Sequence, residues 1–409
     1  MGFKFEITHK LDGAPLARAG IITTPHGKIE TPAFIVVGTK AAVKAMVPEQ
    51  VKAVGAQAVL ANAYHLYLQP GPDFLQKAGG LGKFMNWPGP TFTDSGGFQV
   101  LSLGSGYKKV LAMDSAIEED KVIAKTKSRH AFVDNDGVNF KSHLNGSMHR
   151  FTPEFSMQVQ SAIGADITFA FDELTALQDS YEYQVESLRT RTHPWAKRSL
   201  AEVQRLRNEN PDKPYQALFG VIQGAQYKDL REEAATFMGK LDFDGFGIGG
   251  ALEKTQLGEI VSWVNNILPQ NKPKHLLGIS EPDDIFEAVK QGIDTFDCVS
   301  PTRVGRNGGA YTYHGRVNIK TAKFKEDFSP LIDSCECYTC KHYTKAYLQH
   351  LFRAKESLAG TLLSIHNEYF IIKLVDDIRQ SIKDGTFFEL EKKWLARYYG
   401  KHDRNSIYS

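Results

Sequence analysis

Short apolar runs, each closed by small or polar residues, recur along the chain and alternate with stretches whose apolar residues fall every three to four positions. The runs cover 33–37, 58–62, 90–94, 166–172, 217–223, 245–249, 275–279 and 295–299. Their brevity and continuous apolar character suit strands of a parallel sheet buried on both faces. The longer-period stretches predict helices over 48–54, 153–163, 181–206, 230–241, 257–267 and 282–289. Eight strands alternating with helices predict an α/β fold, a (β/α)8 TIM barrel of irregular spacing. A doubly wound open sheet is the alternative, weakened because no Gly-x-Gly-x-x-Gly follows the first strand.

The alternation breaks twice. After the third strand, residues 102–150 form a long polar stretch. It contains Asp136-Gly137 and Asn145-Gly146, both suited to tight turns between β-like runs. It is expected to be a β-hairpin insertion over one barrel mouth, with 108–130 as a charged excursion. After Val299 come a Gly- and Arg-rich loop, a cysteine cluster and helical stretches through Tyr399. Composition changes the picture little: 409 residues, 42% hydrophobic and 23% charged, exclude disorder as the main state. The longest apolar stretches, such as 165–171, fall far below the roughly 18 residues a membrane span needs. The opening Met1-Gly-Phe-Lys-Phe-Glu6 lacks a signal-peptide core and a myristoylation acceptor, so a cytoplasmic enzyme without a membrane partner is expected. With a net charge of only +2, nucleic-acid binding has to come from local clustering.

In a barrel of this kind, polar residues at strand C-termini face the active-site mouth. Those ends are Asn62, Asp94, Asp172, Gln223, Gly249-Gly250, Ser280 and Asp297. Each alone could be a strand-end cap or turn former; the set has the pattern of a site. Asp94 precedes two glycines that let backbone approach a ligand. Asp297 stands among apolar neighbours that shield it partly from water. A carboxylate pair suits glycosyl transfer, one acid attacking the anomeric carbon and the other handling the leaving group's proton. Asp172 could accept paired N–H donors such as guanine N1 and its exocyclic amine. A Gln223 amide and a Gly250 N–H could donate to guanine O6, so that adenine would leave buried polar groups unpaired at ~1–3 kcal/mol each.

Four cysteines exclude a disulfide framework, yet three of them form Cys335-x-Cys337-x-x-Cys340, with His366 downstream. Three thiolates and one imidazole close a tetrahedral shell, the arrangement of one structural Zn²⁺ with no position open for catalysis. His342 and His350 compete for the fourth place, His342 standing very close to Cys340. Cys298 is expected to be a small buried residue. Six basic residues and no acid occupy 301–325: Arg303, Arg306, Arg316, Lys320, Lys323 and Lys325. Such a run is usually a solvated face; directly after Asp297 it reads as a phosphate-backbone contact. The expected organisation is a barrel catalytic domain over 1–309, carrying the insertion 102–150, and a zinc-binding subdomain with closing helices over 310–400.

These pieces resemble the tRNA-guanine transglycosylases of queuosine biosynthesis, of bacterial type. The resemblance runs through Asn62-Ala-Tyr-His-Leu66, Asp94-Ser-Gly-Gly-Phe-Gln99, Ser142-His-Leu-Asn-Gly-Ser147, Phe171-Asp-Glu173, Phe219-Gly-Val-Ile-Gln-Gly224, Gly247-Ile-Gly-Gly250, the stretch from Phe296-Asp-Cys-Val to Gly308, and the Cys₃His set. It implies Asp297 as the nucleophile on C1′ of the target guanosine and Asp94 as general acid/base. It implies Asp172, Gln223 and the Gly250 backbone as the base-recognition set, Ser95 and Asn62 near the ribose and nucleophile, and Phe98 stacking on the flipped-out base. Thr302, Arg303 and Arg306 would meet the anticodon loop of a tRNA with a GUN anticodon. A homodimer, a structural zinc and exchange of guanine 34 for a 7-deazaguanine are likewise implied. Leu174, the run Ala251-Leu-Glu-Lys-Thr255, the Ser280-Glu281 stretch and the 108–130 excursion depart from the usual bacterial pattern, leaving 7-aminomethyl-7-deazaguanine and queuine both open as the incoming base. A noncatalytic partner subunit is the rival reading, but such subunits lose the acids that this chain keeps. A zinc-bearing barrel hydrolase of small substrates would not need the basic stretch.

Overall fold

The computed structural model describes residues 2–97, 131–250 and 254–399. Phe98, the 108–130 excursion and the 251–253 loop lie outside the described residues. The eight apolar runs form a closed parallel barrel. Its strands are β4 (Ala33–Val37), β5 (Val59–Ala61), β6 (Thr91–Thr93), β10 (Ile167–Phe169), β11 (Ala217–Ile222), β12 (Gly245–Ile248), β13 (Lys274–Leu276) and β14 (Thr295–Cys298). Pairing runs in chain order and closes between β14 and β4, where Asp297 sits opposite Ile35. The predicted strand ends mostly fall one to three residues beyond the observed ones, because the strand-end polar residues leave the ladder to face the mouth.

Strand residues alternate between two apolar layers, as the two-residue period of a strand requires. Ile35, Phe92, Phe169 and Phe219 fill one buried cluster, while Phe34, Val36, Val59 and Ala61 pack outward against the helices. An N-terminal antiparallel sheet that the pattern did not reveal, β1 (Lys4–Leu11), β2 (Ala14–Thr24) and β3 (Gly27–Thr31), contributes Ile22 and Ile29 to the inner cluster. Phe3, just before β1, meets Phe219 edge-on at 5.9 Å, so the sheet and the residue leading into it stop the end of the barrel opposite the mouth.

The expected hairpin insertion is a three-stranded antiparallel sheet, β7 (Ala131–Val133), β8 (Val138–Lys141) and β9 (Met148–Phe151). Asp136-Gly137 and Asn145-Gly146 make its two turns. Its Val138, Phe140 and Phe151 bury against Trp195 and against Tyr64 and Phe171, which follow the ends of β5 and β10 and so place the sheet at the mouth. Beyond the barrel, β15 (Gly309–Thr312) and β16 (Gly315–Asn318) pair as a hairpin, and the cysteine segment packs against the 28-residue helix Ser357–Asp384. That helix also packs on β4 and on the helix Ser300–Arg306, tying the cysteine segment to the barrel. Among the described residues no helix is long and apolar enough to cross a membrane.

Candidate active site

Asp94 is the first residue after β6, at the mouth. Burial pushes its carboxyl up to about 7, and the charge of Asp297 adds to the shift, against the hydrogen bonds that favour ionisation. Those bonds come from the Ala63 N–H at 2.9 Å, the Gly96 N–H at 3.2 Å and the Asn62 side-chain amide. Asn62 also caps the helix Ala63–Leu68, accepting from the His65 N–H at 3.0 Å, so one side chain fixes both the helix start and the acid. Asn62, which the resemblance sets near the ribose and the nucleophile, thus also holds Asp94.

Asp297 interrupts the apolar β14 and keeps 14% of its side chain exposed. The Gly278 N–H donates to its Oδ1 at 3.3 Å, and His275 Nε2 lies 3.1 Å from the same oxygen. Sequence reasoning passed over His275. It stands inside β13 rather than at its end, fully buried, with Phe92 and Phe169 packed around its ring. A polar ring opening the otherwise apolar run His275-Leu-Leu-Gly-Ile279 was the available signal. Ser280 lies four residues beyond β13, buried, with its hydroxyl engaged by Cys298, which is the buried small residue expected.

A second buried acid, Asp172, follows β10. Gln223 Nε2 donates to its Oδ2 at 2.6 Å and Ser95 Oγ donates to its Oδ1 at 3.2 Å. Burial raises Asp172 to about 6, with the neighbouring Glu173 adding to the shift, so it is largely ionised at neutral pH. Ser95, which the resemblance sets near the ribose and the nucleophile, is thus bonded to this acid. A Cβ at Gly97 would come within 2.6 Å of the Asp172 carbonyl oxygen, which is why glycine follows Ser95-Gly96 at this approach. Leu174, one residue past Glu173, is half-buried.

The rim is cationic. Arg303 and Arg306 are exposed in the last turn of the helix Ser300–Arg306, and with Lys40 they lower the Lys44 ammonium, whose partial burial is the larger cause. Lys40 and Lys44, on the loop after β4, were not singled out from the sequence because they are distant from the 301–325 run. Burial and the same two lysines hold His65 down at about 4, so it is neutral at physiological pH. Thr302, by contrast, is buried and donates back to the Val299 carbonyl at 3.3 Å.

Away from the mouth, Cys335, Cys337, Cys340 and His366 gather their ligand atoms within 4.8 Å of one another. His366 Nδ1 lies 3.9, 3.4 and 3.4 Å from the three sulfurs, against about 3.5 Å expected for a tetrahedral zinc with thiolate and imidazole ligands. His366 Nε2 donates to the Tyr311 carbonyl at 2.8 Å, which leaves Nδ1 to face the sulfurs. The donor set and its geometry fit a structural zinc, and the fourth ligand is His366 rather than His342 or His350.

A family model described as Queuine tRNA-ribosyltransferase matches residues 12–400. A protein of Caldanaerobacter subterraneus subsp. tengcongensis named Queuine tRNA-ribosyltransferase is 44% identical over 403 residues, covering 98% of this chain and 99% of its own length. One of the same name from a Roseiflexus species is 46% identical over 391 residues, 93% of this chain and 96% of its own. A third from Staphylococcus epidermidis is 43% identical over 385 residues, 93% of each. With its barrel, its acids and its Cys₃His cluster in place, this chain belongs to the queuine tRNA-ribosyltransferase family.

Proposed function

We propose that the chain is a tRNA-guanine(34) transglycosylase of queuosine biosynthesis, exchanging the wobble guanine of tRNAs with GUN anticodons for a 7-deazaguanine. The observation that carries this reading is the electrostatic coupling of two acids on one mouth: Asp94, raised to about 7, is raised in part by Asp297 itself. The Asp297 carboxylate attacks C1′ of guanosine 34. The C1′–N9 bond breaks, its electron pair leaves with guanine, and protonated Asp94 supplies the proton. The resulting Asp297–ribose ester is then attacked by N9 of the incoming base, which gives its proton to Asp94, and the ester bond breaks. An acid poised near neutrality serves both directions.

In this reading Asp172 accepts N1–H and the exocyclic amine of guanine, while Gln223 and the Gly250 N–H donate to O6. The Gln223–Asp172 bond is what the entering base replaces in part. Phe98 would stack on the base, and Leu174 and the 251–253 loop would bound its 7-substituent, either an aminomethyl group or the larger queuine side chain. Arg303, Arg306, Lys40 and Lys44 form a cationic rim suited to anticodon-loop phosphates, with Thr302 shaping the helix beneath them. The zinc orders residues 310–400, closing helices included, against the barrel unit 1–309. A homodimer is supported by aromatic side chains exposed on the zinc side: Tyr338 and Tyr347 are open to solvent and Tyr343 stacks on Tyr347. A cytoplasmic setting follows from the tRNA substrate.

The test is direct. Unmodified tRNA with a GUN anticodon is incubated with each candidate base, and the nucleoside at position 34 is identified by mass spectrometry. Exchange is expected with one or both bases, together with a denaturation-resistant RNA–protein band that Asp297→Ala abolishes. A band that persists in the variant would remove Asp297 as the nucleophile.

A further inference from the structure

Behind the base subsite lies a cation that the reaction scheme does not use. Arg231, on the helix Lys228–Gly239, is fully buried. No carboxylate meets its guanidinium among the described residues. It donates instead to three backbone carbonyls: Nε to Ala225 O at 2.8 Å, and Nη1 to Ile222 O at 3.0 Å and Gly249 O at 2.8 Å. Nη2 has no acceptor among the described residues. Burying a cation without a counterion costs several kcal/mol, an expense that plain scaffolding does not require. Burial lowers this guanidinium only to about 9, so it remains charged at neutral pH.

The three carbonyls bracket the two groups proposed to recognise guanine O6. Ile222 and Ala225 flank Gln223, and Gly249 precedes Gly250. A trans peptide directs its C=O and N–H to opposite sides. With the Gly249 carbonyl drawn down onto Arg231, the Gly250 N–H is turned away from the buried helix, and it finds no acceptor among the described residues. Gly250 is held at φ +104°, and a Cβ there would lie 2.7 Å from Arg231 Nη2 and 3.1 Å from Gln223 Oε1. The glycine is thus wedged against both groups. Gln223 Oε1 is itself buried without a donor, leaving its Nε2 as the end that faces Asp172.

We propose that Arg231 is the positioning residue of the base subsite, fixing the Gly250 N–H and the Gln223 amide as a pair of O6 donors and lending them its charge as negative charge grows on the departing base. This rests on the base-exchange reading above. A guanidinium bonded to the carbonyl end of a peptide polarises the N–H at its other end. That donor therefore strengthens as the glycosidic bond breaks.

The test compares guanine with 6-thioguanine, which keeps N1–H and the exocyclic amine but replaces O6 with a poor acceptor. Dissociation constants of both bases and of tRNA are measured by calorimetry for the wild type, Arg231→Met and Arg231→Lys. Arg231→Met is expected to weaken guanine about tenfold or more while 6-thioguanine changes little, so that the preference between the bases shrinks. Arg231→Lys, charged but unable to span three carbonyls, falls between, and tRNA, held also through its phosphates, loses no more affinity than guanine does in either variant. Equal weakening of both bases, or of neither, overturns the proposal. Should the variants fail to fold, the unmodified protein labelled with ¹⁵N-glycine decides: the Gly250 amide resonance is expected to move downfield with guanine and much less with 6-thioguanine, and an unmoved resonance overturns it. A wild type that binds no guanine at all would instead sink base exchange itself.

Discussion

The two ends of the barrel bury the same residue type in opposite electrostatic surroundings. At the closed end, Asp166, Asp244 and Asp294 each precede a strand and accept the N–H of a neighbouring strand, from Thr91, Leu218 and Lys274 at 2.8–2.9 Å. Each also meets a nitrogen base: His26 with Asp166, Arg207 with Asp244, and Arg18 with Asp294. At the mouth, Asp94 and Asp172 are held by amides and a hydroxyl, with no cation bonded to either. A carboxylate paired with a cation is locked in one charge state and staples strands together. A carboxylate buried among neutral donors keeps its charge state adjustable, which proton transfer needs. The difference divides the barrel into a stabilising end and a reacting end.

The comparison breaks first at Asp94. Asp94→Asn keeps the shape and removes the transferable proton, so base exchange is expected to fall about 10²- to 10⁴-fold. Stability should move the other way. Asp94 is raised from 3.8 to about 7 in the folded protein, so between those values the native state holds a proton that the unfolded chain has released. Its contribution to stability is whole below pH 3.8 and is lost as pH rises through 7. Asn suffers no such loss. Melting of the variant relative to wild type is therefore expected to improve from pH 5 to pH 8, and a gap that stays constant across this range would show that Asp94 is not held protonated by burial.

The opposite result is expected at the closed end. Arg18 and Asp294 are 3% and 0% exposed and joined at 2.7 Å. Arg18→Ala strands a buried carboxylate and should cost about 3–5 kcal/mol of stability in a denaturant titration. The exchange rate per folded molecule should not change. A slowed exchange with unaltered stability would erase the division between the two ends.

The barrel was legible because each strand is a short apolar run with a polar residue at its end, and that polar residue marks the mouth whichever residue ends the ladder. Asp94, Asp172, Gln223 and Asp297 are found this way, and the Cys₃His spacing identifies itself. The N-terminal sheet escaped because the alternation in its β1, Lys4–Leu11, is short: only Phe5 and Ile7 turn inward, both half-buried, before the polar run Thr8-His9-Lys10. Lys40 and Lys44 escaped for another reason: they join Arg303 and Arg306 only through the β14–β4 closure, a contact across the whole barrel in sequence. Arg231 looks like any helix arginine until its burial is known. Partners of a site that arrive from other strands are set by closure of the sheet, and local pattern does not carry that information.

His275 offers the smallest effect and the finest division, because it reaches Asp297, the proposed nucleophile, from within the apolar layer. A carboxylate only accepts, so with Asp297 ionised the proton between them sits on His275 Nε2, while Nδ1 lies 2.9 Å from Thr295 Oγ1. The ring thus orients Oδ1 through a side-chain N–H held on its far edge by a second strand. His275→Phe keeps the packing with Phe92 and Phe169 and removes the donor. Formation of the covalent RNA adduct is expected to slow about tenfold, in line with about 1–1.5 kcal/mol for one hydrogen bond. His275→Gln, which returns an N–H, should recover part of the rate. Single-turnover rates that are the same in all three proteins would leave the Gly278 N–H as the sole element orienting Asp297, and the mouth would then hold its nucleophile by backbone alone.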